Sequence, residues 1–363
     1  MRMIKHNIIT KILIISLMMS NIVNAIEIYN KNGNKTNIYG NINILRKYSK
    51  DEYNEGDKSY TKLGVKNEHF ISKDITGYST WLYNFHTNFT ENQYRLFNGE
   101  TCLAYAGLNF KKWGSIDYGR NYGILYDALS YTDKSPVENT LTIKDNDNYL
   151  TGRSTSLLTY RNKDLFGYLK GVNFAIQYAG KNLYDRLEEE KNCNGWGGSL
   201  EYKSDIGLST IGSWFRINRT DIQKEDNNGN KATAYVLGLK YDKNNIYVGA
   251  MYGNTRNLHR LYNTSHSKQT KNIELIAQYK FNNIYPSISF LQRKTNNYNA
   301  IEFSNNNLII DKYINLGAIY DINKNISAYA DYRINLIKDN NTFDSLYKDS
   351  TYNIFAIGMS YKF

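Results

Sequence analysis

Five histidines and two cysteines are the residues of this 363-residue chain that first suggest metal binding or nucleophilic chemistry. Their spacing supports neither role. His259 and His266 are seven positions apart in a polar stretch, which fits no compact ligand motif. Cys102 and Cys193 are far apart in sequence. There is no Gly-x-Ser-x-Gly elbow, no phosphate-binding glycine loop and no zinc signature. No catalytic residue, metal or cofactor is therefore expected. What remains is fixed charge, 45 Lys and Arg against 34 Asp and Glu, a formal +11. The chemistry on offer is electrostatic, a field that acts on a passing solute. The aromatic residues lie at strand spacing and form no stacking platform, so nucleic acid is not an expected partner.

The elements that would position those charges are strands. In residues 351–363 the positions Phe355, Ile357, Met359, Tyr361 and Phe363 are apolar. The intervening Tyr352, Ile354, Ala356, Gly358, Ser360 and Lys362 are mostly smaller or more polar. This is a period of two, one face for lipid and one for a wetter interior. A tilted strand of about 9–11 residues crosses a bilayer. An apolar strand at a chain end would invite aggregation in water, whereas in a closed barrel it pairs with the first strand.

The other end of the chain agrees. Residues 1–25 carry Arg2, Lys5 and Lys11, an apolar stretch over 12–19 and the small-residue site Val23-Asn24-Ala25. They read as a secretory signal peptide removed after Ala25, too short in its apolar part to span a membrane. Losing its three cations takes the formal charge from +11 to +8 on residues 26–363, the single barrel domain. A mean hydropathy of −0.60 suits a barrel, whose strands show only half their residues to lipid. The 34 Tyr, 14 Phe and 4 Trp are too many for a disordered chain and suit girdles at two interfaces. Two prolines in the whole chain fit an almost continuous sheet.

Alternation recurs at Ile38 to Leu45, Tyr78 to Asn84 and Asn173 to Tyr178, and near 233–241, 245–252, 272–280, 285–291, 313–320 and 327–337. Asp242-Lys243-Asn244-Asn245 and the run 321–325 read as short periplasmic turns, and 221–231, 259–271 and 338–349 as polar outer loops. At roughly 20 residues per strand and connection, the chain holds about sixteen strands. The fold class is all-β, a transmembrane antiparallel β-barrel.

Several runs carry a resemblance. They are residues 27–35, Leu103-Ala104-Tyr105-Ala106-Gly107-Leu108, Asp117-Tyr118-Gly119-Arg120-Asn121-Tyr122-Gly123 with Tyr126-Asp127-Ala128-Leu129, Thr159-Tyr160-Arg161-Asn162, and Asn173 to Tyr178. Together and in order they resemble the trimeric general porins of enterobacterial outer membranes, the OmpF/OmpC type. The resemblance implies a sixteen-stranded barrel in the cell outer membrane, assembled as a homotrimer. It implies a third outer loop folded inward to narrow the pore. Lipopolysaccharide, outer-membrane lipid and the barrel assembly machinery are the implied partners, with Tyr361 and Phe363 as the C-terminal assembly signal. The Lys- and Asn-rich loops would fit an AT-biased genome, such as that of an insect endosymbiont.

The resemblance also nominates residues. On the third loop, Tyr131-Thr132-Asp133-Lys134-Ser135-Pro136 matches the family and makes Asp133 a constriction acid. The next acid, Glu138, comes one place late and without the family's glycines, so the loop is expected to bend differently. On the facing wall, Lys62 and Arg153 keep family basic positions, while Asn41 and Cys102 replace two others. Each of Asn41, Lys62 and Cys102 sits in an alternating stretch and is expected to point into the lumen. Tyr122 and Tyr126 enter the same constriction. Glu91 is the implied trimer latch, with Arg120 of the neighbouring barrel as its partner. A pore-wall Cys102 argues for free thiols, although an outer-membrane protein passes an oxidising compartment. The expectation is a passive channel for small hydrophilic solutes and ions, weakly cation-selective or unselective because two bases are lost. A surface adhesin with little pore activity is the alternative, and it would want apolar contact surfaces on loops that here are polar. A sugar-specific channel would want a continuous aromatic track, and many inward positions are Tyr.

Overall fold

The computed structural model describes residues 25–90, 99–137, 141–184, 186–262, 265–296, 307–337 and 352–363. Their backbone is mainly strand. The first eight wall strands are β1 Asn34–Ser49, β2 Tyr60–Ser72, β3 Ile75–His86, β4 Gly99–Asn109, β5 Ser115–Tyr122, β6 Arg153–Asn162, β7 Val172–Ala179 and β8 Gly195–Lys203. The next eight are β9 Leu208–Asn218, β10 Lys231–Lys243, β11 Ile246–Arg256, β12 Gln269–Tyr279, β13 Ile284–Asn296, β14 Asn307–Asp321, β15 Ile326–Asn335 and β16 Ile354–Lys362. Each pairs antiparallel with the next. β16 returns to β1, Ile354 opposite Ser49 through Lys362 opposite Asn41, and closes a sixteen-stranded barrel. Closure satisfies every edge, the condition for crossing a bilayer with strands.

The two ends of the chain meet on one edge of β1. Phe363 exchanges backbone hydrogen bonds with Gly40, at 2.9 and 3.1 Å. The strand Ile26–Lys31 pairs further along the same edge, with Ile26 opposite Ile38. Only Tyr39 separates the two partners, so the N-terminal strand continues the line of β16.

The period-two pattern appears as two surfaces. In β16 Phe355, Ile357, Met359 and Tyr361 face outward and are exposed, while Ile354, Ala356 and Ser360 are buried. In β10 Tyr235, Leu237 and Leu239 point outward while Ala232, Ala234 and Val236 are buried inside. The apolar outer band is the lipid-facing surface such a barrel requires. One end carries tight turns. Asn244 and Asn245, both in left-handed conformation at φ 55° and 64°, join β10 to β11, as primed two-residue hairpins demand. The other end carries longer connections. The one expected to be a plain polar loop over 221–231 contains a helical turn, Asp221–Lys224, capped reciprocally by Thr220 and Gln223. The stretch 338–349 lies outside the described residues.

Candidate pore constriction

The described residues 123–137 and 141–152, between β5 and β6, do not leave the barrel end. Gly123 and Leu125 donate to the carbonyls of Gly152 and Leu150, which pinches the base of the loop. One helical turn, Tyr126–Leu129, follows. Ile124, Leu125, Ala128 and Leu129 are fully buried against Phe215, Ile217, Ala232 and Ala234, inward residues of β9 and β10. The loop therefore lies inside the barrel on a dry apolar bed, the kind of contact worth about 1.5–3 kcal/mol per large side chain.

Polar anchors continue round the wall in order. Ile124 N–H donates to Gln177 Oε1 on β7 at 2.8 Å. Ser199 of β8 donates to Asp127 at 2.6 Å, and Arg161 of β6 pairs with the same carboxylate at 2.8 Å. Tyr131 donates to Glu201 at 2.6 Å, and Tyr247 of β11 donates to the Tyr131 carbonyl at 2.6 Å. That approach is close: a Cβ on Gly249 would sit 2.2 Å from the Tyr131 carbonyl oxygen. Glu274 of β12 accepts from Thr132 Oγ1, from the Thr142 backbone N–H, and at 2.8 Å from Thr142 Oγ1. Ser135 donates to Asp331 of β15 at 2.8 Å and accepts from Asn315 of β14 at 2.8 Å.

With the loop laid along β7 to β15, the space left in the lumen is bounded by the loop, by the inner faces of β1, β2, β3, β5 and β6, and by inward residues of β8, β10, β11 and β16. A cavity of about 560 Å³ lies there, and Asn41, Lys62, Tyr122, Tyr126, Asp133 and Arg153 all line it. These are six of the eight residues nominated for a constriction. Asp133 accepts from Tyr126 at 2.8 Å and has the Lys144 ammonium at 3.5 Å. The Tyr122 and Tyr126 rings stack at 4.3 Å. Lys62 lies over the Tyr60 ring at 4.8 Å, and Arg153 reaches Glu100 at 3.7 Å.

The other nominations fare differently. Glu138 and Glu91 lie outside the described residues. Cys102 does not open onto the cavity as expected. The β3–β4 register shifts between Leu82 and Tyr83, which pair with Leu103 and Thr101, so Cys102 is the extra residue of a bulge. It is 1% exposed and packs with Tyr39, Leu82 and Leu103 beneath Tyr105 and Tyr122. Both cysteines are free thiols. Arg120 already holds an acid of its own chain. Its two terminal nitrogens donate to the Asp147 carboxylate at 2.6 and 2.7 Å, and Nε donates to the Thr101 carbonyl. Tyr361 faces outward, and Phe363 ends the seam on Gly40.

Several lining residues escaped the sequence reading, namely Lys134, Lys144, Lys203 and Lys240 among them. Two were legible. Lys240 shares the inward parity of Ala234, Val236 and Gly238, and Lys203 that of Ser199 and Glu201. The loop lysines had no periodicity to reveal them.

A closed barrel with an apolar outer band and a charged, loop-narrowed lumen defines a membrane channel of the β-barrel class. Comparison with known proteins narrows this. The family model described as Gram-negative porin matches residues 31–363. Outer membrane protein F of Serratia marcescens is 40% identical over 378 residues, covering 99% of this chain and 100% of that one. Outer membrane porin N of Escherichia coli K12 is 38% identical, covering 97% and 98%. The solved structure of Salmonella typhi OmpF in complex with daunomycin superposes with a TM-score of 0.84 at 36% identity, covering 93% of this chain and 100% of that one. The chain belongs to the Gram-negative porin family, which is not a family of enzymes. It is an outer-membrane, multi-pass general porin.

Proposed function

We propose that solutes cross passively through the gap between the 123–152 loop and the β1–β6 wall, with Asp133 facing Lys62 and Arg153 across it. The observation that supports this most is their convergence on one cavity. A narrow pore discriminates by facing charges rather than by catalysis. Asn41 and the stacked Tyr122 and Tyr126 set its remaining rim, and Glu138 extends the loop side if it turns inward. Small hydrophilic solutes and ions are the cargo. Three copies assemble, as in the resembled family, and Glu91 latches onto Arg120 of the next barrel by sharing or displacing Asp147. Residues 1–25 are removed after export. Phe363 and Tyr361 present the terminal strand to the assembly machinery, and lipopolysaccharide packs against the outer leaflet side.

Single-channel recording of the refolded protein in a planar bilayer tests this reading. Current steps arriving in threes with a stable open state are expected, and Asp133→Asn should shift the reversal potential away from cations. A heat-modifiable, folded barrel that conducts nothing would instead favour a surface-interaction role.

A further inference from the structure

We propose that this pore prefers anions, and that lysines of the loop and of the β8–β10 wall set the preference. The proposal rests on the channel reading above. The sequence, with two of four family bases gone, pointed to weak cation selectivity or none. The structure brings other bases to the same place. Lys62, Lys144 and Arg153 line the cavity. Lys134, Lys203, Lys240 and Lys362 line the cavity with them. The acids lining it are Asp133, Glu201 and Asp242. Even if Glu100 and Glu138 are counted against them, the bases stay in excess. The adjoining cavity on the turn side adds Lys243 and Lys280 against Asp321.

How the charges are held matters as much as their number. Two of the three acids are occupied by donors. Asp133 takes a hydroxyl and an ammonium. Glu201, 8% exposed, takes the Tyr131 hydroxyl at 2.6 Å, the Asn173 amide at 3.0 Å and Lys203 at 3.0 Å. Three of the bases are held over aromatic rings: Lys62 over Tyr60, Lys240 over Tyr131 at 4.6 Å and Lys134 over Tyr247 at 5.3 Å. A ring positions an ammonium through its quadrupole but carries no net charge, so the cation's field still reaches the lumen. In a narrow opening with low-dielectric walls that field is focused on the passing ion. At physiological salt, charges beyond about 8 Å are screened, so these lining groups outweigh the loops in setting selectivity. Rows of Lys and Arg are the arrangement that passes anions. The favoured solutes are small anions, such as inorganic phosphate, carboxylates and phosphorylated metabolites.

The test is the zero-current potential of the refolded full chain in a bilayer under a KCl gradient, repeated with potassium phosphate. The expected result is a chloride-to-potassium permeability ratio above one. Lys134→Gln with Lys240→Gln should lower that ratio, with heat-modifiable migration showing that the variant barrel has folded. Open channels that prefer potassium, or a folded double variant with an unchanged ratio, overturn the proposal alone. The absence of any conductance overturns the channel reading and this proposal with it.

Discussion

The two halves of the barrel interior differ in kind. On β9 and β10 the inner wall beneath the loop resembles the core of a soluble protein, with Phe215, Ile217, Ala232 and Ala234 at 0% exposure, and only farther along do Lys203 of β8 and Lys240 of β10 reach the cavity. From β1 to β6 the inner wall also has packed residues such as Tyr39 and Leu82, but Asn41, Tyr60, Lys62 and Arg153 front an open cavity. A loop can narrow a pore only if it is bound more tightly to one side than the other. Here the dry side fixes where the loop lies, and the wet side defines what passes.

Variants of the dry side should change stability first. Phe215→Ala removes a fully buried ring stacked on Tyr149 at 6.1 Å. Such truncations cost about 3–5 kcal/mol. The expected outcome is a clear drop in the temperature at which the folded band converts on heating. An unchanged midpoint would mean that the loop is not seated on this wall. A smaller effect belongs to Glu274→Gln, which replaces one of the two carboxyl oxygens that accept from Thr132 and Thr142. A hydrogen bond of this kind contributes about 0.5–1.5 kcal/mol. Noisier and larger single-channel steps should follow, with the barrel still folded. At the far end of the scale, Lys170→Ala breaks an ion pair with Asp205 that is exposed on both sides. Exposed pairs of this kind add little, so both the unfolding midpoint and the conductance should match the parent protein.

The strands were the most legible part of the molecule because lipid on one side and water on the other impose a strict period of two. The terminal strand, the closing seam and the Asn244-Asn245 turn all follow from that pattern and from turn chemistry. The nominated constriction residues came from family resemblance rather than periodicity, and six of them meet at one cavity. Cys102 packs inward with Tyr39 and Leu82, but as the extra residue of a bulge in β4 it is covered rather than open to the cavity, which no period-two reading can see. The basic lining was missed for two reasons. Lys203 and Lys240 were readable from strand parity but carried no family motif. Lys134 and Lys144 sit on a loop whose path depends on packing against distant strands, through partners such as Glu201 and Glu274 that are remote in sequence. Arg120 shows the same limit, since its Asp147 partner lies across the loop rather than along a strand.

The most direct test of this division is access to the two walls. In a Cys193→Ser background, Lys62→Cys places a thiol on the open wall, and Ser213→Cys places one on β9, where Ser213 is 3% exposed. A charged, water-soluble thiol reagent applied during bilayer recording should reduce current through the Lys62→Cys pore and leave the Ser213→Cys pore unaffected. Current loss at Ser213→Cys with none at Lys62→Cys would place the solute path on the wrong side of the loop and contradict the account.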